Sequence, residues 1–201
     1  MKIIEGQINI ENQTFLKMCF AKVNFDKFIP IGGKEVKELK EGILHSMPNF
    51  TFIENDFFKK KSLIKKCKIE NKKHQIFVIS IAPYFFLIQD KNQKKSIVLP
   101  NLILVLQYPD LLPYVYVDDG AVKPLLGGSN LKGPGIKKIE ETAPFEKNTV
   151  IAVRLLGNEE AFAVGITLKS LEEIRNSPQG DAIEILHVLK DQLWENREKI
   201  Q

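Results

Sequence analysis

The sequence predicts an α+β protein of two parts: a small mixed α/β domain at the N-terminal end, followed by a small barrel of short strands. The chain has 201 residues, which leaves room for two domains of roughly 100 residues each. Apolar residues at helical spacing occur in the first half, whereas short strands separated by turns follow Tyr114. Such closely spaced short strands are typical of small barrels. We therefore divide the chain into an N-terminal domain of residues 1–98 and a C-terminal domain of residues 99–201, which includes a connector.

In the first half, the segment that follows Gly32-Gly33 predicts a helix that ends near Met47-Pro48. Its lysines and glutamates face water, and its apolar residues recur every three or four positions; these are Val36, Leu39, Ile43 and Leu44. Strands rich in Ile, Val and Phe are expected downstream, at 63–70, 75–81 and 84–89. Residues 1–10 alternate weakly and fit either an added strand or a loose arm.

The second half is interpreted as strands alternating with turns. Residues 102–107 are apolar and fit either a helix or a strand. Strands at 149–155 and 161–168 flank Gly157-Asn158, which indicates a hairpin. Ser170 is followed by a leucine and two glutamates, a pattern typical of a helix start. A last strand is expected at 182–186.

The stretch at 117–135, VDDGAVKPLLGGSNLKGPG, organises this second half. It predicts a strand end, an acidic turn, a short helix and a glycine-rich loop. Asp118 or Asp119 can cap the helix by accepting backbone N–H bonds. Gly127 and Gly128 are expected to end the helix with positive φ. A closing Gly-Pro-Gly turn then leads into the next strand.

Composition excludes several classes of protein. The longest apolar run, at 76–88, is interrupted by Pro83 and is shorter than the ~18 residues of a membrane span. Acidic residues occupy the N-terminal positions where a signal peptide needs an apolar core, so a cytoplasmic protein without a membrane segment is expected. Two cysteines and three scattered histidines do not suggest a disulfide framework or a metal site, and we expect neither a metal nor a cofactor.

Charge is distributed unevenly along the chain. Residues 1–98 contain 18 lysines against 10 acidic residues, a balance of +8, whereas residues 99–201 contain 11 lysines and arginines against 15 acidic residues, a balance of −4. Basic segments are typical of proteins that bind polyanions. Lysine outnumbers arginine by 26 to 3, which also fits a compositional bias of the genome, so the overall charge decides nothing by itself.

The central stretch resembles the entry to a PUA domain, a small RNA-binding barrel. Its pattern D-x-G-A-x-x-x-x-x-x-G-x-x-x-x-x-P-G is continued by VIAVRLLGNEEAFAVGITLKSLEEI at 150–174 and GDAIEILHVLKDQLW at 180–194. With LPNLILVLQYPDLLP at 99–113, the chain is similar to the malignant-T-cell-amplified sequence family, translation proteins that pair a small N-terminal domain with a PUA domain. The resemblance implies a C-terminal PUA pseudo-barrel and favours a helix at 102–107.

This resemblance also implies an RNA-binding face formed by the helix, the glycine loop and the following strand. Glycines let backbone N–H groups approach a phosphate, and lysines neutralise its charge. The residues it indicates are Lys123, Gly127, Gly128, Ser129, Asn130, Lys132, Gly135, Lys137, Lys138 and Gly165. The alternative without a ligand is a helix cap and a tight turn, and a packing role for Gly165 is equally compatible.

A second basic segment lies in the N-terminal domain, where residues 59–73 hold eight lysines and one acidic residue. Lysine clusters bind phosphate backbones with little sequence specificity. The N-terminal domain of similar proteins sits on the small ribosomal subunit, so we interpret the cluster as an rRNA contact made by Lys59, Lys60, Lys61, Lys65, Lys66, Lys68, Lys72 and Lys73. The alternative is a solvated strand edge, which lysines protect from aggregation.

No catalytic set is apparent, since neither a Ser/His/Asp group nor paired catalytic carboxylates occur at a usable spacing. His187 is expected to be a satisfied core or edge histidine, and Trp194 to pack the last turn of the barrel. The resemblance implies a non-enzymatic factor in translation initiation, reinitiation or recycling that holds the tRNA acceptor end and works with a density-regulated-protein partner. An RNA-modification enzyme or accessory subunit with a PUA domain, and a protein adaptor, remain as alternatives.

Overall fold

The structure is a computed structural model that describes residues 27–58, 64–70, 74–80, 85–90, 96–139 and 144–195. The possible strand at 1–10 lies outside the described residues. The chain divides into two compact units. Of the described residues, those from 27 to 112 together with 192–195 form the N-terminal unit, and those from 113 to 191 form the C-terminal unit.

The N-terminal unit is built on a five-stranded antiparallel sheet in the order β1-β2-β3-β4-β5, in which each strand pairs with the next along the chain. The strands are β1 (Ile29–Pro30), β2 (Lys65–Glu70), β3 (His74–Ser80), β4 (Phe85–Asp90) and β5 (Ser96–Pro100). The helices that this unit takes from the first part of the chain are α1 (Gly33–Ser46), α2 (Glu54–Phe57) and α3 (Leu102–Gln107), with short 3-10 turns at Pro48–Phe52 and Pro109–Leu111.

Helix α1 packs against the sheet through the face that its sequence pattern predicts. Leu39 and Ile43 are buried, and Gly42 allows close approach to β5, because a Cβ there would lie 3.0 Å from Val98 Cγ2. The segment at 102–107, for which helix and strand were both open, is a helix. Asn101 caps this helix by accepting a hydrogen bond from the Ile103 amide at 3.0 Å.

The C-terminal unit contains a six-stranded sheet in the order β7-β11-β10-β9-β6-β8. Its strands are β6 (Tyr114–Val117), β7 (Leu131–Lys132), β8 (Ile136–Ile139), β9 (Val150–Leu155), β10 (Ala161–Thr167) and β11 (Asp181–Val188). Neighbours are antiparallel except for β6 and β9, which are parallel. Two helices, α4 (Asp119–Leu126) and α5 (Leu171–Asn176), complete this unit.

The six-stranded sheet is curled because its two end strands are neighbours in sequence. Only the 3-10 turn Gly133–Gly135 separates β7 from β8, and three residues span at most about 10 Å. The sheet must therefore bend until both edges lie side by side around a core that includes all of β9 and β10. This confirms the predicted α+β class with a C-terminal pseudo-barrel.

Two local predictions in this unit are also confirmed. Strands β9 and β10 form an antiparallel hairpin whose turn places Gly157 at φ 82°. Ser170 caps α5 in a reciprocal capping box, in which its Oγ accepts from the Glu173 amide at 3.2 Å and its own amide donates to Glu173 Oε2 at 2.7 Å.

The C-terminal end of β11 is held by a buried histidine–aspartate pair. His187 Nδ1 lies 2.6 Å from Asp191 Oδ2, and the same oxygen accepts a hydrogen bond from the Val188 amide at 3.1 Å. His187 is thus a satisfied core histidine, as predicted. The next helix, α6 (Gln192–Glu195), belongs to the N-terminal unit. Trp194 lies in this helix and is only 2% exposed; its packing against the last turn of the barrel stays a prediction.

Replacing Asp191 with Ala removes the oxygen that both His187 and the Val188 amide contact. Loss of a buried hydrogen-bond partner costs about 1–3 kcal/mol for each group affected, so we expect the free energy of unfolding to fall by about 2–4 kcal/mol. Urea unfolding followed by circular dichroism measures this value. Asp191→Asn keeps an acceptor oxygen and should lose much less; equal losses for both variants would show that the oxygen contacts do not stabilise the turn.

Candidate nucleic-acid interface

Helix α4 begins directly after β6 and is tied to β8 by an ion pair. Asp118 occupies the N-cap position with an extended backbone, but its side chain makes no capping hydrogen bond. Its Oδ2 instead lies 3.2 Å from Lys137 Nζ. The predicted side-chain cap by an aspartate is therefore wrong at Asp118, because the carboxylate is engaged with a lysine of the neighbouring strand.

Strand β8 contains two consecutive lysines, Lys137 and Lys138, and has a β-bulge at the first of them. Tyr116 faces Lys138 and Val117 faces Ile136, so Lys137 is an extra residue in the pairing with β6. Bulges turn side chains to new directions, and here Lys137 reaches Asp118. Lys138 lies on the side of Tyr116, with its Nζ 5.1 Å from the centroid of that ring. Lys137 therefore contacts a carboxylate, whereas Lys138 lies next to an aromatic ring.

The glycine pair after α4 forms the helix C-cap. The Ser129 amide donates to Pro124 O at 3.0 Å and the Gly128 amide donates to Leu125 O at 2.9 Å, which is the Schellman pattern. Gly128 supplies the required positive φ of 82°, whereas Gly127 has φ −78°, so the expectation of positive φ is correct only for Gly128.

The amides of this cap are not available to a ligand. The Gly127 amide also donates within the helix, to Lys123 O at 3.1 Å, so three successive N–H groups at 127–129 are used inside the protein. The expectation that they are exposed for a phosphate is wrong. An anion at this surface therefore cannot use these three amides, and the lysine side chains are the groups that carry positive charge there.

The Gly-Pro-Gly turn at 133–135 packs against the loop that precedes β11 and forms a hydrogen bond with it. A Cβ on Gly133 would overlap the carbonyl of Pro178, and the Gly133 amide donates to Gly180 O at 3.0 Å. Lys169 Nζ in turn donates to Ser177 O at 2.9 Å and to Gln179 O at 2.6 Å. The glycine at 133 was not among the predicted site residues, although its Gly-Pro-Gly context was a visible signal of a tight turn.

Three lysines define what we call the basic surface: Lys123 on α4, Lys132 on β7 and Lys137 on β8. Lys123 and Lys132 are exposed, and within the described ranges neither makes an ion pair or a side-chain hydrogen bond. Next to Lys132, Asn130 Nδ2 donates to Asp181 Oδ2 at 2.9 Å. The surface thus has three lysines, of which Lys137 is paired with Asp118, and a second carboxylate, Asp181, at its border. Asp181 is a residue that the sequence analysis missed.

Tyr116, near Lys138, is part of a polar network that joins a buried arginine to an exposed glutamate. Its hydroxyl lies 3.1 Å from Glu159 Oε2, which also accepts from Arg154 Nη1 at 3.0 Å. The Arg154 guanidinium carbon lies 3.5 Å from the centroid of the Tyr114 ring, and Arg154 is only 2% exposed. An arginine in the middle of the apolar strand sequence VIAVRL was the available signal for this network.

Gly165 lies in β10 and is buried. A Cβ at this position would overlap the carbonyl oxygen of Glu184 in β11 and lie 2.8 Å from Ile183 Cγ2. The absence of a side chain therefore allows β10 and β11 to pair at a register shift. The geometry supports the packing role that the sequence left open.

In the lysine cluster at 59–73, the structure describes the side chains of Lys65 and Lys66 only. The side chains of the other six lysines are outside the described part of the chain. Lys65 and Lys66 are both half-buried on β2, between β1 and β3, so β2 is not a sheet edge at these positions. Lys66 forms an ion pair with Glu35 of α1. Part of the cluster thus stabilises the N-terminal unit.

Two classes of site find no support in the part of the chain that the structure describes. It holds no group of three or more His, Cys, Asp or Glu side chains placed to bind a metal ion. Its helices also include none with the length and apolar character to cross a membrane.

The sequence matches family models over both units. A model described as "elF2D, PUA domain" matches residues 112–192, and one described as "Pre-PUA-like domain" matches residues 21–109. Translation machinery-associated protein 20 of Saccharomyces cerevisiae is 32% identical over 162 residues, which cover 79% of this chain and 86% of that protein. Malignant T-cell-amplified sequence 1 of Danio rerio is 30% identical over 174 residues, covering 86% of this chain and 93% of that protein.

Solved structures share the fold. A PUA-domain protein from Aeropyrum pernix K1, determined as a tartrate complex, has a TM-score of 0.64 at 20% identity, covering 89% of this chain and 94% of that one. A hypothetical protein from Pyrococcus horikoshii OT3 has a TM-score of 0.62 at 23% identity, covering 84% and 98% respectively. These likenesses support a pre-PUA unit followed by a PUA unit, and at such identities they concern the fold alone.

Replacing Gly165 with Ala tests the packing role. The added methyl group would force apart two strand backbones, and overpacking of this kind costs about 1–3 kcal/mol. We expect urea unfolding to show this loss. Gly33→Ala is the matched control, because a Cβ there meets nothing within 4 Å and alanine favours the helix. A Gly165→Ala protein as stable as the wild type would contradict the packing argument.

Proposed function

The chain belongs to the family of malignant T-cell-amplified sequence and translation machinery-associated 20 proteins, and we propose that it is a non-enzymatic translation factor acting on the small ribosomal subunit. A translation-related role that involves RNA follows from this family and from its PUA domain. The finer statements, namely the ribosomal subunit, the tRNA contact and the step in initiation, reinitiation or recycling, are proposals.

The observation that carries the tRNA proposal is the basic surface on an otherwise acidic unit. Residues 113–191 contain 9 lysines and arginines against 12 acidic residues. Even so, Lys123 and Lys132 are exposed and make no ion pair within the described ranges. Lysines without anionic partners in the protein are suited to phosphate oxygens, and they position a nucleic acid without reading its bases.

We propose that this surface holds the acceptor end of tRNA. The backbone amides at 127–129 are used in the helix cap, so the contact would be made by lysine side chains and would depend steeply on salt concentration. The turn at 133–135 packs through Gly133 against the loop at 177–180, and Lys169 holds that loop by two hydrogen bonds. A rigid support keeps the lysines placed at a low entropic cost of binding.

We propose that the N-terminal unit docks on rRNA of the small subunit through the lysine cluster at 59–73. Lys66 is engaged with Glu35, and Lys65 is half-buried in the sheet. The proposed rRNA contacts therefore centre on Lys59, Lys60 and Lys61, with Lys68, Lys72 and Lys73. Membership of the family supports a density-regulated-protein partner as a further component of the complex.

Charge reversal at two positions tests the tRNA surface. Lys123→Glu combined with Lys132→Glu should abolish tRNA association at physiological salt, because two phosphate contacts become repulsive. At lower salt, where residual binding is measurable, the slope of log affinity against log salt should fall by about 1.4–1.8, since each of the two phosphate contacts contributes about 0.7–0.9. Fluorescence anisotropy with labelled tRNA over a salt series measures both quantities.

The control for this test is Lys34→Glu combined with Lys190→Glu, which changes the net charge by the same amount. Lys34 lies in the other unit. Lys190 follows the C-terminal end of β11, whereas Asp181, which pairs with Lys132 in the sheet, is at the N-terminal end of that strand. Binding that survives the first double change, or that the control weakens equally, would place the tRNA contact elsewhere.

Sedimentation with small ribosomal subunits tests the N-terminal unit. We expect co-sedimentation that weakens with salt and is reduced by at least about tenfold in affinity when Lys59, Lys60 and Lys61 are changed to Glu. Lys27, Lys34 and Lys37, all exposed, provide a charge-matched triple control. Absence of co-sedimentation at low salt, with and without the density-regulated-protein partner, would remove the ribosomal proposal.

A further inference from the structure

A carboxylate and an amide stand together at the border of the basic surface. Asn130 Nδ2 donates to Asp181 Oδ2 at 2.9 Å. Asp181 is exposed and Asn130 is half-buried. In the described part of the chain, no other side-chain hydrogen bond involves either residue. The second oxygen of Asp181 and the carbonyl oxygen of Asn130 are therefore two neighbouring acceptors.

A lysine lies beside these acceptors without neutralising them. Asp181 and Lys132 are directly opposite in the pairing of β11 with β7, a position in which Cβ atoms are about 5 Å apart. Yet no ion pair joins them within the described ranges. A ligand that brings both a phosphate and hydrogen-bond donors can therefore use the cation and the two acceptors together.

The support under this pair is fixed by the fold. The Gly133 amide donates to Gly180 O immediately before Asp181, and Lys169 holds the carbonyls of Ser177 and Gln179. Gly133 also packs against Pro178 so closely that a Cβ would not fit. Acceptors on a rigid support discriminate between ligands better than acceptors on a mobile loop, because their geometry does not adapt.

Two neighbouring acceptors fit two neighbouring hydroxyl donors. The terminal ribose of an RNA with a free 3′ end offers such a pair, its 2′ and 3′ hydroxyls, whereas an internal ribose offers only the 2′ hydroxyl. Acidic side chains bind ribose hydroxyls in this way in dinucleotide-binding folds, and the 2′ hydroxyl distinguishes RNA from DNA. A 3′ phosphate at the same place would be repelled by Asp181.

We propose that Asp181 and Asn130 form a subsite for the ribose diol of a free RNA 3′ end, and that Asp181 weakens the binding of 3′-phosphorylated ends. Lys132 binds the preceding phosphate. This inference rests on the proposed RNA-binding function of the basic surface, to which it adds the selection of one kind of RNA end.

The test compares three short RNAs of the same sequence ending in CCA, which carry a 2′,3′ diol, a 3′ phosphate or a 2′,3′-dideoxy terminus. The full-length wild-type protein should bind the diol RNA about tenfold more tightly than the 3′-phosphate RNA, with the dideoxy RNA between them. This comparison requires no variant. Equal affinity for the three ends would overturn the proposal.

The variant Asp181→Asn separates a specific effect on the 3′ phosphate from a general charge effect. Its amide oxygen can still accept the hydrogen bond from Asn130, so the urea midpoint should stay at the wild-type value. The preference for the diol over the 3′ phosphate should fall to about twofold, mainly because the phosphorylated RNA binds more tightly. An equal gain for all three RNAs would mean that Asp181 acts only through net charge, and the subsite would be rejected.

Glu184→Gln is the matched control, since it removes one negative charge from the same strand; it should leave the ratio between the RNA ends unchanged. The outcome also separates this inference from the proposed function. Salt-dependent binding without a preference among the ends would remove the subsite alone. Failure of the wild type to bind any of the three RNAs would remove both.

Discussion

The close packing of Gly133 against Pro178 is the constraint on which the C-terminal unit depends. The turn Gly133–Gly135 connects the two end strands of the six-stranded sheet, so the sheet can close only if this turn lies flat against the loop before β11. A side chain at 133 would occupy the position of the Pro178 carbonyl. The barrel therefore closes only when the loop at 177–180 is in this position.

That closure also positions the groups proposed to bind RNA. Lys132 is the last residue before the turn, Lys137 follows it on β8, and Asp181 follows the loop that the turn contacts. The bulge at Lys137 directs its side chain towards Asp118 at the start of α4. Residues far apart in sequence thus meet at one surface because the strand ends meet there, and a change in the turn would displace all of them.

Much of the fold was predictable because it follows from local patterns. The burial of Leu39 and Ile43, the Gly157 turn and the Ser170 capping box each depend on residues within one helix or hairpin. The errors concern competition between partners distant in sequence. Asp118 does not cap α4, because Lys137 competes for its carboxylate. The role of Asp181 was missed because it follows from the pairing of β11 with β7, and periodicity carries no information about that pairing.

The position of Asp181 affects whether a surface that carries lysines can distinguish an RNA end from an internal segment. Lysines attract every phosphate along an RNA chain, so a purely cationic surface binds internal segments and ends alike. Selection of an end requires a group that is unfavourable for phosphate and favourable for what an end alone presents. Asp181 meets the first condition through its charge, and together with Asn130 it meets the second through two acceptors. A moderate number of lysines next to one fixed carboxylate is thus better suited to holding a terminus than a uniformly basic barrel would be.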